Sequence, residues 1–542
     1  MSDEKTRWPF GGFFLKLSDE KNGTHEYEEY LRNCKENPLT EEEQREWTES
    51  ARAVIAELEQ LNTEPEPTRQ AAEAEGILCA SQKVGTVLAD VEGTAPIAVI
   101  SGRKVETITA YLGIVYSGHA YAPIDGKLPR HRIDIIVETL KPSAILADSD
   151  NLDLANELAQ GVPVFELEKA MQENTDEKKL QEIRRNMIMT DPLYVIFTSG
   201  STGKPKGVIT SHQSLICYIE SYVSVMGIGE NDRLGNQSPL DYIAAIRDIY
   251  VPLYKGCSSV IIPKEYFMEP NSLFDYMNEH KVTSVGWSVS AFTVALSLGA
   301  FEEVKLNTLK KICFSGSVMP ASCLSVWQQN LPDAKFVNQY GPTEATASCT
   351  YYEVDHLVSQ DEQLPIGRPY NNYRVFLLNE DLTETPNGEI GEICVSGPIL
   401  ALGYYNDPER TEKSFIINPN YKGYPERMYR TGDYGRIRED GLLEFHGRMD
   451  RQVKHMGHRV ELDEIEYAAN QIAGVDECVS LYNKEKEVLY LFYSGEIAMR
   501  QVVLELRKVL PGFMVPRKVK QVSALPKLAS GKIDMTTLKE EM

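Results

Sequence analysis

The segment Tyr194-Val-Ile-Phe-Thr-Ser-Gly-Ser-Thr-Gly-Lys-Pro-Lys-Gly207 joins a short apolar strand to a loop of hydroxyl residues, glycines and lysines. The β-branched and aromatic residues at its start favour a strand. The small residues that follow leave backbone N–H groups free to close around phosphate oxygens, and two lysines add positive charge beside them. The spacing does not fit a Walker loop, because Lys204 is followed by proline instead of serine or threonine. The loop therefore indicates a polyphosphate ligand, and a plain surface turn is the alternative interpretation.

Length and composition predict a protein of several domains. The 542 residues exceed the usual size of one hydrophobic core, and 42% of them are hydrophobic. The nine cysteines include no Cys-x-x-Cys pair, which argues against a zinc site or a disulfide framework. A net charge of −24 at pH 7 argues against binding to nucleic acid or to an anionic membrane. No apolar run near the N-terminus is long enough for a signal core or a membrane span, so we expect a soluble, cytoplasmic protein.

Hydrophobic periodicity divides the chain into successive regions. Residues 1–75 are acidic and contain one amphipathic helix, predicted between Thr40 and Leu61. From about residue 76 short apolar strands alternate with helices, which predicts parallel strands joined by crossover helices. Between about 364 and 446 the helical pattern disappears and strands alternate with glycine turns, as in a small β-rich subdomain. From about residue 451 onward, helices and strands mix in a compact α+β pattern.

Further segments carry polar residues in a particular order along the chain: Gly118-His-Ala-Tyr-Ala-Pro-Ile-Asp125, Asn338-Gln-Tyr-Gly-Pro-Thr-Glu344, Tyr429-Arg-Thr-Gly-Asp433, residues 447–466, and Leu525-Pro-Lys-Leu-Ala-Ser-Gly-Lys-Ile-Asp534. Together with the phosphate loop, this series resembles the adenylate-forming enzymes. In particular it is similar to the amino-acid adenylation domains of nonribosomal peptide synthetases and to the stand-alone D-alanine:carrier-protein ligases. The resemblance covers roughly residues 76–540.

The resemblance implies an α/β fold with two catalytic domains. The large N-terminal domain, residues 76–446, would contain two doubly wound α/β subdomains and a small β-barrel-like subdomain. A small, mobile α+β C-terminal lid domain, residues 447–542, would turn about a hinge at Asp450. Residues 1–75 match the family poorly, and we expect them to form an acidic, helical N-terminal extension.

The resemblance also implies roles at an ATP site. Tyr340 would stack on adenine near Asn338 and Gly341. Asp433 would take the ribose hydroxyls, and Arg448 would position the nucleotide. Glu344, after Thr343 in the catalytic turn, would bind Mg²⁺, and Lys532 would bridge carboxylate and phosphate oxygens. Each residue also has an ordinary interpretation, as a turn residue, a core aromatic or a solvated lysine. The loop that would hold the β- and γ-phosphates comprises Thr198, Ser199, Gly200, Ser201, Thr202, Gly203 and Lys204.

The chemistry of adenylate formation explains these residue types. A carboxylate attacks the α-phosphorus of ATP while pyrophosphate leaves, so two anions must meet and cations must offset their charge. Mg²⁺ and Lys532 would do so at the centre, and the loop amides with Lys204 or Lys206 would do so at the leaving group. No general base is required, because the attacking carboxylate is already ionised near neutral pH.

The expected acid pocket departs from the family pattern. The position of the aspartate that usually pairs with the substrate α-ammonium holds Ile243, and Asp241, two residues earlier, is either an alternative anchor or a helix cap. Arg247 would share a helix face with Ile243, beside Ala244. An arginine there needs an anion, from the substrate or from a protein acid such as Asp241 or Asp248. The other expected lining residues are Gly286, Cys313, Ser315, Gln339, Ala347 and Ser348.

We therefore expect a substrate without the usual α-ammonium contact: a β-amino acid, a hydroxy or keto acid, or a dicarboxylic acid. Since the sequence contains no carrier-protein motif, we expect a separate acceptor. The resemblance favours the phosphopantetheine thiol of an acidic carrier protein in trans, which suits the nearly neutral C-terminal segment with Arg517, Lys518 and Lys520. The alternatives are an acyl- or aryl-CoA ligase and a catalytically idle nucleotide-binding relative.

Overall fold

The computed structural model describes residues 14–16, 71–200, 204–359, 362–448, 451–484, 486–527 and 533–542. Residues 72–542 lie within one compact unit. The helix predicted between Thr40 and Leu61 lies outside the described residues. The first described elements are the short strands Phe14–Lys16 and Ala71–Glu73 and the helix Ala74–Leu88.

A seven-stranded sheet, here the first sheet, carries the phosphate-loop candidate. Its inner strands are parallel and wholly buried, as expected where helices cover both faces. The loop joins two antiparallel strands, so it forms a hairpin at one side of this sheet. The strand order is Gly403–Tyr404, Lys206–Ser211, Pro192–Thr198, Tyr121–Ile124, Ile97–Ile100, Ala144–Ala147 and Val164–Glu166. The connecting helices are Val105–Tyr116, Arg130–Leu140, Leu152–Leu158, Leu167–Ala170 and Glu177–Asn186.

The second sheet is also mainly parallel and encloses a large aromatic core. Trp287 and Trp327 are fully buried there and contact Phe292, with ring centroids 5.6 and 5.0 Å away. Its strands run in the order Arg368–Pro369, Thr350–Val354, Lys335–Tyr340, Lys311–Ser315, Ser284–Ser288, Arg233–Asn236 and Ser258–Ile261, and the first two are antiparallel to their neighbours. The helices of this part are His212–Met226, Ala245–Lys255, Pro270–Glu279, Val289–Ser297 and Ala321–Asn330.

The parallel strands of the second sheet place their carboxyl ends at one edge. Three neighbouring strands end there at Ser288, Ser315 and Tyr340. In open α/β sheets, the crevice outside these carboxyl ends is the usual place for a ligand. The fold therefore marks this edge as the place to look for a site.

A third, antiparallel sheet follows, curved like half a barrel. The prediction that helices are absent between 364 and 446 is wrong in one place, because Pro408–Ser414 is a short helix capped by the Asp407 carboxylate. Asp407 followed by proline is a helix-start signal, but the helix is too short to leave a periodic pattern. The strands of this sheet are Arg374–Leu378, Ile390–Ser396, Arg427–Ile437, Phe415–Ile417 and Leu443–Arg448.

The C-terminal part combines a hairpin, a small sheet and helices. Strands Gln452–His455 and His458–Glu461 are joined by Met456 and Gly457, whose φ angles of 51° and 80° are those of a two-residue hairpin turn. The predicted α/β fold class, with two largely parallel sheets and a small β subdomain, is confirmed. The remaining strands are Val475–Asn483, Val488–Gly495 and Lys518–Gln521, and the helices are Leu462–Asn470, Met499–Val509 and Met535–Glu540.

The described residues contain neither a membrane-spanning helix nor a cluster of metal ligands. No helix among them combines the length and apolar character that crossing a bilayer requires. Within the same residues, no group of three or more His, Cys, Asp or Glu side chains is arranged to hold a metal ion.

Candidate active site

Glu344 is a fully buried carboxylate that contacts donors from distant parts of the chain. Lys206 Nζ and the Tyr404 hydroxyl each lie 2.8 Å from its Oε1. Arg459 Nη1 lies 3.2 Å from Oε1 and 3.1 Å from Oε2. Burial opposes ionisation of Glu344, but the charges of Arg459 and Lys206 outweigh it and hold the pKa of Glu344 well below its ordinary value. The side chain is therefore a carboxylate anion held between two cations.

An unusual backbone turn positions Glu344. It lies in the single turn Thr343–Ala345, and the next two residues, Thr346 and Ala347, have φ angles of 46° and 73°, which non-glycine residues rarely adopt. The Thr346 hydroxyl donates to the carbonyl of Ile399 at 2.7 Å and helps to hold this conformation. Such strain costs about 1–3 kcal/mol per residue and is typical of functional sites.

The glycine that opens this turn is sterically required. A Cβ atom at Gly341 would lie only 2.4 Å from the Cα of Ser348. The chain can therefore fold back on itself after strand Lys335–Tyr340 only with glycine at this position.

A carboxylate oxygen is a suitable ligand for Mg²⁺. In this structure, however, both carboxylate oxygens are occupied. Oε1 of Glu344 accepts hydrogen bonds from Lys206, Tyr404 and Arg459, and Oε2 accepts one from Arg459. The site therefore fits the metal ion only after the Arg459 side chain has withdrawn.

The described part of the phosphate-loop candidate contacts the C-terminal segment. The Ser199 hydroxyl donates to the carbonyl of Arg459 at 2.7 Å, and the Gly200 N–H donates to the Glu464 carboxylate at 3.3 Å. The buried hydroxyl of Thr198 has no hydrogen-bond partner among the described residues. Lys204 is exposed, whereas Lys206 faces Glu344 instead of the loop. Ser201, Thr202 and Gly203 lie outside the described residues.

The residues expected around the nucleoside lie together. The Tyr340 hydroxyl donates to Asp433 Oδ2 at 2.5 Å, and Arg448 Nη1 lies 2.5 Å from Asp433 Oδ1. The contact with Arg448 follows from strand pairing, because Asp433 and Arg448 are direct partners in the third sheet. Asn338 lies on the same strand as Tyr340, and its amide donates to the carbonyl of Pro365 at 2.9 Å.

A cavity lies at the strand ends of the second sheet, next to the hairpin turn at Gly457. The Tyr242 hydroxyl donates to the carbonyl of Gly457 at 3.0 Å and joins the hairpin to the cavity wall. Sequence analysis did not predict the contributions of Ser288, Lys454 or His458. Of the predicted pocket residues, Ile243, Ala244, Arg247, Ser315, Ala347 and Ser348 line this cavity.

The remaining predicted pocket residues lie behind the cavity wall. Arg247 Nη2 donates to the carbonyl of Gly286, and Nη1 lies 4.0 Å from the sulfur of Cys313. Gln339 is buried, and its Oε1 accepts a hydrogen bond from the Ser348 hydroxyl at 3.3 Å. Gly286, Cys313 and Gln339 therefore surround Arg247 and Ser348 and are not themselves part of the lining.

The structure places Asp241 outside the cavity lining. The interpretation of Asp241 as a helix cap is also wrong, because the helix begins at Ala245 and its N-terminal cap is Ala244, without a side-chain hydrogen bond. The physical reason is that residues 240–244 form a turn, so Asp241 lies too far ahead of the helix to cap it. Burial, with the nearby charge of Asp125, raises the pKa of Asp241 to about 6.

Two predicted residues, Lys532 and the hinge residue Asp450, lie outside the described residues. Conversely, sequence analysis missed three residues that contact the site: Tyr404, Arg459 and Glu464. Arg459 and Glu464 lie within the segment 447–466, so that segment was itself a signal. Tyr404 lies in a short strand beside the phosphate loop, and no local sequence pattern marks it.

The chain is similar in sequence to known proteins. Residues 77–405 match the profile of a family described as AMP-binding enzyme. Tyrocidine synthase 1 of Brevibacillus parabrevis is 29% identical over 449 residues, which cover 82% of this chain and 40% of that protein. Bacitracin synthase 3 of Bacillus licheniformis is 32% identical over 539 residues, which cover 97% of this chain and 8% of that protein. The chain thus spans less than half the length of these relatives.

Solved structures are similar over most of the chain. One is a nonribosomal peptide synthetase protein containing adenylation and PCP domains, bound to a vinylsulfonamide inhibitor. It is 27% identical, with a TM-score of 0.74, over 87% of this chain and 80% of that one. A second, the Vibrio cholerae adenylation domain AlmE in complex with glycyl-adenosine-5'-phosphate, has 22% identity and a TM-score of 0.75, over 88% of this chain and 93% of that one. At that identity the second likeness supports the fold alone.

Proposed function

Because the chain belongs to the AMP-binding enzyme family, we propose that it activates an amino acid or a related carboxylic acid with ATP. In this reaction a carboxylate oxygen bonds to the α-phosphorus of ATP, and the bond from that phosphorus to the pyrophosphate oxygen breaks. The products are an acyl-adenylate and pyrophosphate. The family relationship and the arrangement of the site both support an AMP-forming ligase.

One observation carries this proposal: the nucleoside residues and the cavity share one stretch of chain. Tyr340 contacts Asp433, and the next residue, Gly341, lines the cavity. An acid in the cavity would therefore lie next to a nucleotide held at Asp433. Adenylate formation requires this proximity, because the reacting oxygen and phosphorus must approach to about 3–3.5 Å.

The residues of the site have distinct roles in the proposed reaction. Asp433 would accept hydrogen bonds from the ribose hydroxyls, and Arg448 would keep the Asp433 carboxylate in place. The unpartnered Thr198 hydroxyl and the Gly200 N–H would donate to phosphate oxygens. Mg²⁺, held by Glu344, would supply charge neutralisation on the phosphates.

Exchange of labelled pyrophosphate into ATP tests the proposed reaction directly. A panel of amino, aryl, hydroxy and dicarboxylic acids should contain at least one acid that supports exchange dependent on that acid. If no acid across a wide panel supports exchange or AMP formation, the chain is an idle nucleotide-binding relative and the proposal is wrong.

Replacement of Asp433 by alanine should weaken ATP binding selectively. Hydrogen bonds to a charged group contribute about 1.5–3 kcal/mol, so we expect the KM for ATP in the exchange reaction to rise about 10- to 100-fold. The KM for the acid should change much less, because Asp433 does not line the cavity. Asp440→Ala is the matched control, since Asp440 is an exposed carboxylate that pairs with Arg438 at 2.8 Å in the same part of the chain. Equal changes in both KM values would contradict the role of Asp433.

For the second half-reaction we propose that the acyl group passes to the phosphopantetheine thiol of an acidic carrier protein in trans. The thiol sulfur would attack the acyl carbon, and AMP would leave with the bonding electrons. A structural relative that contains adenylation and PCP domains supports this choice. Arg517 and Lys518 are exposed in the C-terminal part and bring positive charge to this surface, and Lys520 lies on the same strand as Lys518. Comparing holo-carrier protein with coenzyme A as acceptor separates this proposal from an acyl-CoA ligase.

Arg459 should favour acyl transfer over adenylation. Its guanidinium contacts Glu344 where Mg²⁺ is proposed to bind, and Glu464 accepts from the Gly200 N–H where a phosphate is proposed to bind. The described orientation of the C-terminal segment is thus incompatible with bound Mg²⁺–ATP and suits the step after pyrophosphate has left. We expect Arg459→Ala to lower the ratio of the transfer rate to the exchange rate by about 10-fold or more.

Two assays give this ratio. One measures single-turnover acyl transfer from a preformed adenylate, and the other measures pyrophosphate exchange. Arg500→Ala is the matched control, because Arg500 is an exposed arginine on a C-terminal helix. A loss of equal size in both half-reactions would show that Arg459 stabilises the fold without favouring either orientation.

A further inference from the structure

The charges that line the cavity are unbalanced. Among the described residues that line it, Arg247 and Lys454 are basic and none is acidic. Ile243, which also lines the cavity, is apolar. The cavity therefore offers cations to a ligand, but no carboxylate to an ammonium group.

Arg247 is a buried cation, since only 1% of its surface is exposed. Its Nε–H has no hydrogen-bond partner in the part of the chain that the structure describes. Among the described residues Arg247 contacts the Gly286 carbonyl and the Cys313 sulfur and forms no ion pair with a carboxylate, Asp241 and Asp248 included. A buried, unpaired cation is costly, because burial removes its hydration without replacing it.

The groups that face Arg247 do not neutralise it. Burial raises the pKa values of Cys313 and Tyr218 to about 12 and that of Tyr222 well above its ordinary value, so all three are uncharged at neutral pH. Asp248 is the acid whose charge acts on Arg247. Its carboxylate is instead held by the amide of Asn236 at 2.8 Å.

Other unsatisfied donors lie near this arginine. The Tyr222 hydroxyl and the Gln339 amide nitrogen are both buried and have no hydrogen-bond partner among the described residues. Gln339 adjoins the cavity through Ser348, and Tyr222 lies within electrostatic range of Arg247. Neither Gln339 nor Tyr222 lines the cavity, so Arg247 is the one of these three donors that a ligand in the cavity would meet.

The chain makes space for the guanidinium. Gly286 and Cys313 are paired neighbours in the second sheet, and Arg247 lies against both. A Cβ atom at Gly286 would lie 2.4 Å from Nε of Arg247. Any larger residue at position 286 would displace the arginine, so the backbone beneath it is shaped to fit it.

We propose that Arg247 is the specificity-determining residue of the cavity and binds a second carboxylate of the acid that the enzyme activates. This inference rests on the proposed function and names its substrate class: a dicarboxylic acid. One carboxylate reacts with ATP, and the other accepts hydrogen bonds from the guanidinium. Acidic amino acids share the second carboxylate, but their α-ammonium would meet no acid in the lining.

Matched pairs of acids test this proposal in the pyrophosphate exchange reaction. Succinate and glutarate are compared with their monoamides, and L-aspartate and L-glutamate are compared with L-asparagine and L-glutamine. Each pair has the same shape and differs in one negative charge. We expect kcat/KM for the dicarboxylates to exceed that for their monoamides by at least about 10-fold, because a site built for a charged partner discriminates strongly against its neutral analogue. Activity with the acidic amino acids alone would reassign the α-ammonium contact and overturn the dicarboxylic class.

Variants of Arg247 assign the preference to this residue. In Arg247→Met the ratio of dicarboxylate to monoamide should fall to about one or below, since the positive charge is lost while most of the volume remains. In Arg247→Lys the charge remains without the fork-shaped donor, so the ratio should fall only in part. Arg233→Met is the matched control, because Arg233 also donates to a backbone carbonyl, that of His280, but does not line the cavity.

The outcomes separate this inference from the proposed function. Exchange with neutral monocarboxylic acids only, or an Arg247→Met enzyme that keeps the dicarboxylate preference, would overturn the inference and leave the adenylation function intact. Absence of exchange with every acid would overturn the proposed function itself. The comparison of acids on the unaltered protein decides the matter even when Arg247→Met fails to fold.

Discussion

Replacement of Glu344 by glutamine is expected to lower both stability and adenylation. The substitution keeps the size of the side chain but removes its charge, and it leaves Lys206 and Arg459 facing a neutral amide. Removing one partner of a buried ion pair costs about 3–5 kcal/mol, because the remaining charge stays buried without compensation. Pyrophosphate exchange should fall at the same time, since Glu344 is the proposed Mg²⁺ ligand. Urea denaturation and exchange assays on the same preparations measure the two effects.

The loss of stability in Glu344→Gln should depend on pH in a definite direction. Burial opposes the charge on Glu344, and Arg459 and Lys206 more than compensate, so the pKa of the folded protein lies below the ordinary value of 4.5. The stabilising contribution is therefore fully present above pH 4.5 and is lost as the pH falls through the lower pKa of the folded state. The difference in stability between the unaltered protein and Glu344→Gln should therefore shrink as the pH falls below about 4.5.

The control for Glu344→Gln is Glu353→Gln. Glu353 pairs with Lys335 at 2.6 Å but is half exposed, and exposed pairs contribute little to stability. A Glu344→Gln variant with the same urea midpoint as Glu353→Gln would contradict the buried ion-pair cluster.

Replacement of Lys532 by alanine should abolish most adenylation without a loss of stability. In the proposed reaction Lys532 supplies the cation between the attacking carboxylate and the α-phosphate, where negative charge accumulates in the transition state. Removing one such electrostatic contact typically lowers kcat by about 100- to 1,000-fold. Lys532 lies outside the described residues, so the match to the family motif assigns it. Nearby described residues are Lys527 and Ile533, which pair with each other.

Three measurements distinguish this role from a structural one. Pyrophosphate exchange should fall by the factor given above, the urea midpoint should stay that of the unaltered protein, and transfer from a supplied acyl-adenylate should be retained. Lys527→Ala is the control on the same loop, since Lys527 pairs with Glu477 at 3.1 Å on the surface. A Lys532→Ala enzyme with normal exchange would overturn the assignment.

Local sequence patterns predicted most elements of the fold. The alternation of short strands and helices predicted from about residue 76 is present, for example at the strands Ala144–Ala147 and Lys311–Ser315. These elements are predictable because periodicity and β-branched composition act over a few neighbouring residues. The short helix Pro408–Ser414 was missed, since seven residues are too few to establish a helical period.

The grouping of Tyr340, Asp433 and Arg448 was also predictable, whereas the partners of Asp241 and Arg247 were not. Asp433 and Arg448 belong to separate motifs of the sequence, and pairing in one sheet brings them together. Whether an acid satisfies Arg247 depends on where the turn at residues 240–244 directs Asp241. The identity of the neighbouring residues does not determine the direction of that turn.

The amino-acid sequence by itself determined the α/β class, the order of the elements and the chemical groups of an adenylating site, because these follow from local patterns and motifs. Only the tertiary structure decided which charges meet. Glu344 is 138 residues from Lys206, 60 from Tyr404 and 115 from Arg459 along the chain, yet all three contact its carboxylate. Contacts across such separations depend on how sheets and segments pack. For the same reason, only the packed structure shows that the cavity lining carries cations and no acid.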